Sequence, residues 1–222
     1  MASTVKIAIL GAGGHGRVIA QCITACATLD NTIQLAGFID PFLAPGTSVG
    51  NSTVLGGDDA ISELITQQKI THFIVGLGTI RGGVSKRQEL YNAAIGANLK
   101  PATIIAPSAI VSPDVNIGLG TAIMPAAVVN TGTVIGSNVI INTRASIDHD
   151  AQIKDDVHIA PGCVLSGDVT VGKGSLVGVG ATIIQGVTIG QNTTIGAGSV
   201  VTKDIGDNLT AVGVPHRVIS RD

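Results

Sequence analysis

The chain of 222 residues contains no tryptophan, and aromatic residues make up only 2% of it. Without rings on which successive bases could stack, it offers no platform for single-stranded nucleic acid. Charge is scarce as well: 13% of residues are charged, the net charge is −2, and no basic run occurs. That excludes a counterion-release grip on DNA and attraction to an anionic membrane. Mean hydropathy is high at +0.48, yet no uninterrupted apolar run approaches the ~18 residues of a membrane span. The first apolar run is broken by Gly11 and Arg17 too early for a signal-peptide shape. Three cysteines (Cys22, Cys26, Cys163) are too few for a disulfide framework. Cys22 and Cys26 lie one helical turn apart, as core residues of a helix do. A cytoplasmic protein with no nucleic-acid or membrane partner is expected.

What the chain has in abundance is branched aliphatic residues at a fixed interval. Every sixth residue from Ile105 to Val201 is Ile, Leu or Val, seventeen positions without a slip. Six is a multiple of the strand period of two and fits the helical 3.6 poorly. Two residues before most of these positions sits a small or β-branched residue, among them Ala127, Val139, Ala145 and Cys163. Both sets then point to one side of a short strand, so Cys163 is expected inside as a small hydrophobe. Glycine often follows the aliphatic residue, as at Gly118, Gly136, Gly172 and Gly190, where a corner would need a permissive backbone. Three such strands per coil predict a triangular parallel β-solenoid of between five and six coils, stacked at ~4.8 Å per step. The (Ile/Val)-Gly-x4 pattern resembles the hexapeptide-repeat acyltransferases, and the resemblance implies a left-handed β-helix and a homotrimer.

The first hundred residues have another rhythm. Val5–Leu10 is a buried-strand run, and Val18, Ile19, Cys22, Ile23 and Cys26 then recur at helical spacing. Residues 34–39 and 72–75 read as further strands, and residues 58–67 and 85–98 as helices, the first capped by Asp58 or Asp59. His72 reads as surface at a strand entry. Alternating strands and helices predict a small parallel α/β, Rossmann-like domain over residues 1–100, with the solenoid over residues 101–222. Between the first strand and the first helix, Gly11-Ala12-Gly13-Gly14-His15-Gly16 satisfies G-x-G-x-x-G, and Asp40 ends the next strand. Such a turn lets backbone N–H groups approach an anion at a helix N-terminus; the bland alternative is a tight turn without a ligand. No second mononucleotide-binding half follows, so one nucleotide fits better than a dinucleotide.

Along the solenoid, polar residues are mostly Asn, Thr and Ser. The exception is Asp148-His149-Asp150, followed nine residues later by His158. His149 and Asp150 fall on a corner after the inward Ile147. His158 precedes the inward Ile159 and so faces outward, expected on the same side of the triangle. An imidazole there is either a general base oriented by a carboxylate or a solvated corner histidine.

A domain opening with Gly-Ala-Gly-Gly-His-Gly and joined to a hexapeptide solenoid resembles the bacterial nucleotide-sugar N-acetyltransferases and the related sialic acid O-acetyltransferases. The resemblance spans nearly the whole chain. It implies that Gly13, Gly14 and His15 meet the phosphates and ribose of a UDP- or GDP-linked amino sugar. Asp40 would bond the base or ribose, and Gly76, Leu77 and Gly78 would line the other wall. In that wall the chain departs from its relatives, which often have Gly-Asn or Gly-Asp, and adds a Gly82-Gly83 segment. The resemblance further implies His149 as general base, Asp150 (less readily Asp148) as its orienter, and His158 beside the acetyl group or pantetheine arm. Gly167 N–H would hold the oxyanion, and Gly178, Val179 and Ala197 would line a coenzyme A groove. Gly213-Val214-Pro215-His216-Arg217 resembles the family's closing motif, with His216 in place of a small residue. Acetyl-CoA is then the cosubstrate and no metal is needed, with the active site between subunits of a homotrimer. The reaction expected is N-acetylation of a nucleotide-linked 4-amino-4,6-dideoxy sugar; O-acetylation of a sugar hydroxyl is the alternative. Two other classes stay open: a zinc-dependent, carbonic-anhydrase-like solenoid using His149, His158 and His216, and a non-catalytic nucleotide-sugar sensor.

Overall fold

The computed structural model describes residues 4–83 and 86–221. Its first part comprises β1 (Val5–Leu10), α1 (Gly14–Ala27), β2 (Ile33–Ile39), β3 (Ser48–Val49), β4 (Ser52–Gly56), α2 (Ile61–Thr66), β5 (His72–Val75), α3 (Lys86–Gly96) and β6 (Lys100–Pro101). They form one sheet of order β3-β4-β2-β1-β5-β6. β1 lies between two parallel neighbours, and Ile7, Ala8, Ile9 and Leu10 are all buried, hence its unbroken apolar run.

Two local expectations need correction, and one element was not anticipated. Residues 58–67 split into a 3₁₀ turn, Asp58–Ala60, and the short α2, and neither start has a side-chain cap. Asp58 and Asp59 therefore cap nothing. The helix expected over residues 85–98 is α3, ending at Gly96; Ser85 lies outside the described residues. The β3–β4 hairpin was not expected, because its Ser- and Thr-rich strands lack an apolar pattern; Gly50, at φ +58°, makes its turn.

From Ile104 onward the chain is a left-handed parallel β-helix. Each strand pairs with the one eighteen residues on, as in Ile123↔Ile141 and Ile141↔Ile159. The first face runs from Ile104–Ile105 through His158–Ile159 to Thr194–Ile195 and ends in the hairpin Leu209–Val212/Arg217–Arg221. The second runs from Ile110–Val111 to Val200–Val201, and the third from Asn116–Ile117 to Thr188–Ile189. The inward aliphatic ladder and the small residues two places before it form one buried column. Ile105, the first rung, is 38% exposed, because no coil lies beneath it.

The glycines do two different jobs, and the expected one belongs elsewhere. Left-handed backbone recurs three residues after each aliphatic rung, from Gly120 to Gly198, and half of those positions are not glycine. Glycines directly after the rung have no such φ; they are small because the next coil is close. A Cβ on Gly172 would lie 2.5 Å from Gln191 N, and one on Gly118 2.4 Å from Gly136 C.

The three outward surfaces differ. On the first face Ile104, Ala122 and Ile140 are buried in one cluster with Ile9, Ile19, Ile23 and Phe38 of the α/β domain. The third face presents Asn116, Gln152, Thr170 and Thr188. The second presents an uncovered apolar stripe that includes Ile110 and Val164, 68% and 44% exposed. α3 fastens the α/β domain to the corner between the third and first faces: Gln88 Nε2 donates to Asp156 Oδ2 (2.7 Å) and the Tyr91 hydroxyl to the Leu119 carbonyl (3.1 Å).

Candidate active site

His149 occupies the edge between the second and third faces. The Asp148 carboxylate there accepts from Asn130 Nδ2 on the preceding coil (3.0 Å) and from the His149 backbone N–H (2.8 Å). Asp150, at φ +60°, takes the corner's left-handed position, which turns its Oδ2 back to 2.8 Å from His149 Nδ1. The imidazole then lies across Gly167 of the following coil, where an added Cβ would sit 2.5 Å from its Cε1 and Nε2. Gly167 is buried, and its N–H makes no backbone hydrogen bond among the described residues. The hydrogen bond to Asp150, aided by the charges of Asp148, Asp150 and Asp168, raises the His149 pKa above its ordinary value. The edge can present a basic Nε2 to solvent beside an unused N–H.

His158 stands elsewhere. Nine residues are half a coil, so its strand is on the first face, opposite the edge that carries His149. This corrects the expectation of a shared side. Register points the ring outward as expected, but Gly78 and Thr79 lie against it and the residue is only 7% exposed. Thr79 N lies 3.1 Å from its Nδ1 and Asn142 Nδ2 3.1 Å from its Nε2. Within one protomer His158 thus belongs with the α/β domain: its ring centroid is 6.4 Å from that of His15, in the first turn of α1. Burial, with the Arg87 charge second, pushes the His158 pKa down to about 4 and that of His15 to about 3. Both imidazoles are neutral at pH 7. His15 Nε2, Thr79 Oγ1 and Arg87 Nε are buried without a protein partner. Unsatisfied polar atoms of this kind are rare unless water or a ligand serves them.

The glycine-rich turn has the shape the sequence suggests. Gly11 is at φ +106°, and a Cβ on Gly16 would fall 2.2 Å from the Gly11 carbonyl oxygen. Cβ atoms on Gly13 or Gly14 would meet nothing within 4 Å, which leaves open space over the start of α1. Asp40 holds the turn itself: Oδ2 accepts from Ala12 N and Oδ1 from Phe42 N, each at 2.9 Å. Gly76 is a packing residue, 2.6 Å from Gly11 O at its added Cβ, and Leu77 packs over Gly11. Gly78 is exposed and faces His158 Cε1.

Gly178, Val179 and Ala197 fall on a third locus, the edge between the first and second faces. Val179 is 55% exposed, and Gly178 lies tight against the Ile195–Ala197 backbone. Cys163 is inside, its thiol directed at the Gly178 carbonyl (3.0 Å) with its pKa raised to about 11 by burial, so it is no nucleophile. His216, in the tail, has its Nδ1 3.3 Å from Thr202 N. Among the described residues no group of three or more His, Cys, Asp or Glu could hold a metal ion. A groove of about 610 Å³ beside α1, walled by Val18, Leu35, Phe38 and Val49, carries no histidine or carboxylate and offers no group-transfer chemistry.

Asn130, Asn142, Thr79 and Arg87 escape the sequence reading. Asn130 and Asn142 differ from their solenoid neighbours only in being Asn, and Thr79 and Arg87 gain their roles from contacts between the two parts of the chain.

A left-handed hexapeptide solenoid with a His–carboxylate pair on one edge and a glycine-rich strand–helix turn in the domain docked to one face defines a hexapeptide-repeat acyltransferase. The comparisons agree. The PglD N-terminal domain family matches residues 6–98, and the bacterial transferase hexapeptide family matches residues 132–167 and 168–203. A histidine mutant of perosamine N-acetyltransferase from Caulobacter crescentus, solved with CoA and GDP-perosamine, is 34% identical over 97% of each chain, with a TM-score of 0.87. The acetyltransferase domain of PglB from Neisseria gonorrhoeae, solved with acetyl coenzyme A, is 32% identical over 98% of this chain and 100% of that one (TM-score 0.85). WeeI from Acinetobacter baumannii is 26% identical over 97% and 100% (TM-score 0.79). No curated protein sequence matches significantly. The chain belongs to the acetyl-CoA-dependent sugar acetyltransferase family of hexapeptide-repeat enzymes represented by these structures. No helix among the described residues is long and apolar enough to cross a membrane.

Proposed function

We propose that the protein transfers the acetyl group of acetyl-CoA to the amine of a nucleotide-linked 4-amino-4,6-dideoxy sugar, with His149 as general base. The observation that carries this reading is the His149–Asp150 pair lying over Gly167. Asp150 accepts a hydrogen bond from Nδ1–H, the tautomer that leaves Nε2 unprotonated. The neutral amine attacks the thioester carbonyl as Nε2 takes its proton. The Gly167 N–H stabilises the oxyanion, a contribution of ~3–4 kcal/mol where one such donor has been removed. Collapse expels the coenzyme A thiolate, which recovers the proton from His149. No covalent enzyme intermediate forms, and Cys163 takes no part.

His149 and the His15–His158 pair lie on opposite sides of one prism, so the site is completed by a second subunit. The apolar stripe of the second face fits that role. Burying it at a threefold axis brings the His149 edge of one protomer beside its neighbour's Gly178–Val179 edge and first face. Gly178, Val179 and Ala197 then flank the pantetheine arm. Gly13, Gly14, His15 and the Gly76–Leu77–Gly78 wall take the nucleotide, and Asp40 shapes its loop with lone pairs to spare. The three carboxylates around His149 favour an amine, which arrives partly as a cation, over a hydroxyl. Three free thiols suit a reducing cytoplasm.

The test is acetyl-CoA consumption with UDP- and GDP-linked 4-amino sugars and with free sialic acid. Turnover of the amino sugars is expected, and turnover of sialic acid alone overturns the proposal in favour of O-acetylation. Stoichiometric zinc in the purified protein would overturn the acetyltransfer mechanism in favour of the carbonic-anhydrase-like class. Acetyl-CoA consumption absent from wild type and His149→Ala alike would favour a non-catalytic sensor, and consumption unchanged by the substitution would remove His149 as the base.

A further inference from the structure

Arg87 is 2% exposed and sits in the first turn of α3, between the α/β domain and the solenoid. A buried guanidinium is costly unless its donors are used. Here Nη1 donates to the Leu77 carbonyl (3.4 Å) and Nη2 to the Asn138 carbonyl, a short contact. The first carbonyl belongs to the wall beside the glycine-rich turn, and the second to a solenoid corner. That corner is fixed in turn, since Asn138 Nδ2 donates to Asp156 Oδ1 (2.8 Å). The wall is pinned again two residues on, where Thr79 N meets His158. Arg87 Nε stays buried and unpaired, as does Thr79 Oγ1 at the end of the same wall segment.

We infer that Arg87 is a positioning residue which ties the Leu77 wall of the nucleotide site to the solenoid, so that nucleotide affinity depends on its two-carbonyl bridge. The inference rests on the reading of the α/β domain as the nucleotide-sugar site. Simple domain docking does not need this residue, because Gln88 and Tyr91 of the same helix already hold the solenoid. What Arg87 adds is a grip on the wall. The planar fork serves the two carbonyls from two separate nitrogens, Nη1 and Nη2, whereas a lysine offers a single nitrogen on a flexible stem. Arg87→Lys therefore keeps the charge and removes the bridge, and Gln88→Ala loosens docking without touching the wall.

Calorimetric titration of the intact protein with UDP, GDP and acetyl-CoA tests the idea. Arg87→Lys is expected to weaken nucleoside diphosphate binding about tenfold or more, the usual scale for losing a buried charged hydrogen bond. Its acetyl-CoA affinity stays within about twofold of wild type, as do both affinities of Gln88→Ala. Wild-type nucleotide affinity in Arg87→Lys, an equal loss in Gln88→Ala, or a parallel loss of acetyl-CoA affinity would each overturn the bridge. If Arg87→Lys does not fold, hydrogen exchange of the wild-type protein decides. Added nucleotide should protect residues 76–79 together with 86–90 and 137–139, and protection confined to 76–79 overturns the bridge. Wild-type protein that binds neither UDP nor GDP overturns the nucleotide reading as well, which separates the two failures.

Discussion

His149 gathers its properties from neighbours on three successive coils: Asn130 below through Asp148, Asp150 beside it, and Gly167 above. Replacing it with asparagine should lower kcat by about 10²–10⁴-fold, the span of a lost general base, with the fold unchanged by circular dichroism. As the proposed base, His149 would act only when neutral, and its pKa is raised, so kcat/KM should fall as pH drops through a value above ~6.5. Asp150→Asn removes the chief cause of that elevation, so the acid limb of the profile should move to lower pH; an unmoved limb would assign the titration to another group. Gly167→Ala puts a methyl group into the ring's place. It should cost at least about tenfold in kcat while melting close to wild type, since the residue that must yield is the exposed His149. At this scale the site was partly legible: an imidazole between two carboxylates stands out on a surface of Asn, Thr and Ser. Arg87 was not legible, because its partners are two backbone carbonyls that no side-chain pattern announces.

At the scale of the element, the solenoid strands hold only two residues each, so coil stacking and not strand length fixes the structure. Gly172→Ala should lower stability by about 1–3 kcal/mol, as overpacking does, because its methyl meets the Gly190–Gln191 backbone. Gly186→Asn should melt within about 2 °C of wild type. Gly186 has φ +73° with open space around it, and asparagine is among the residues that best tolerate that conformation. Thermal melts of the pair separate two uses of glycine that the sequence shows as one pattern. The aliphatic period exposed the column because inward positions admit few residue types. Corners are freer, so Ala126, Arg144 and Asp150 hold left-handed backbone with no common signature. The misplacement of His158 has a simpler cause: nine residues make one and a half repeats, which carries the chain from an edge to the opposite face.

At the scale of the whole molecule, two further outcomes follow. Val164→Glu puts a charge in the middle of the second face's apolar stripe. If the second face packs at the proposed threefold axis, this change should give folded monomers by sedimentation, with activity lost although His149, Asp150 and the glycine-rich loop are intact. Acid should loosen the junction between the two parts of the chain. His15 and His158 have folded pKa values of about 3 and about 4, below the ~6.5 of an unfolded histidine. Between those limits the unfolded chain binds more protons, so stability falls as pH drops below ~6.5. Substituting both with Gln should flatten that dependence in denaturant melts at pH 7 and pH 5. The eighteen-residue coil also bears on how such a chain can change length. Removing one full coil between His149 and the C-terminus would shorten the prism by ~4.8 Å and return every later side chain to its own face. Removing six would pass each later residue to the next face round, and removing one would turn the aliphatic column out into water. Tolerated length changes in this half of the chain should therefore come in whole coils, and a family of such proteins should vary in height far more readily than in girth.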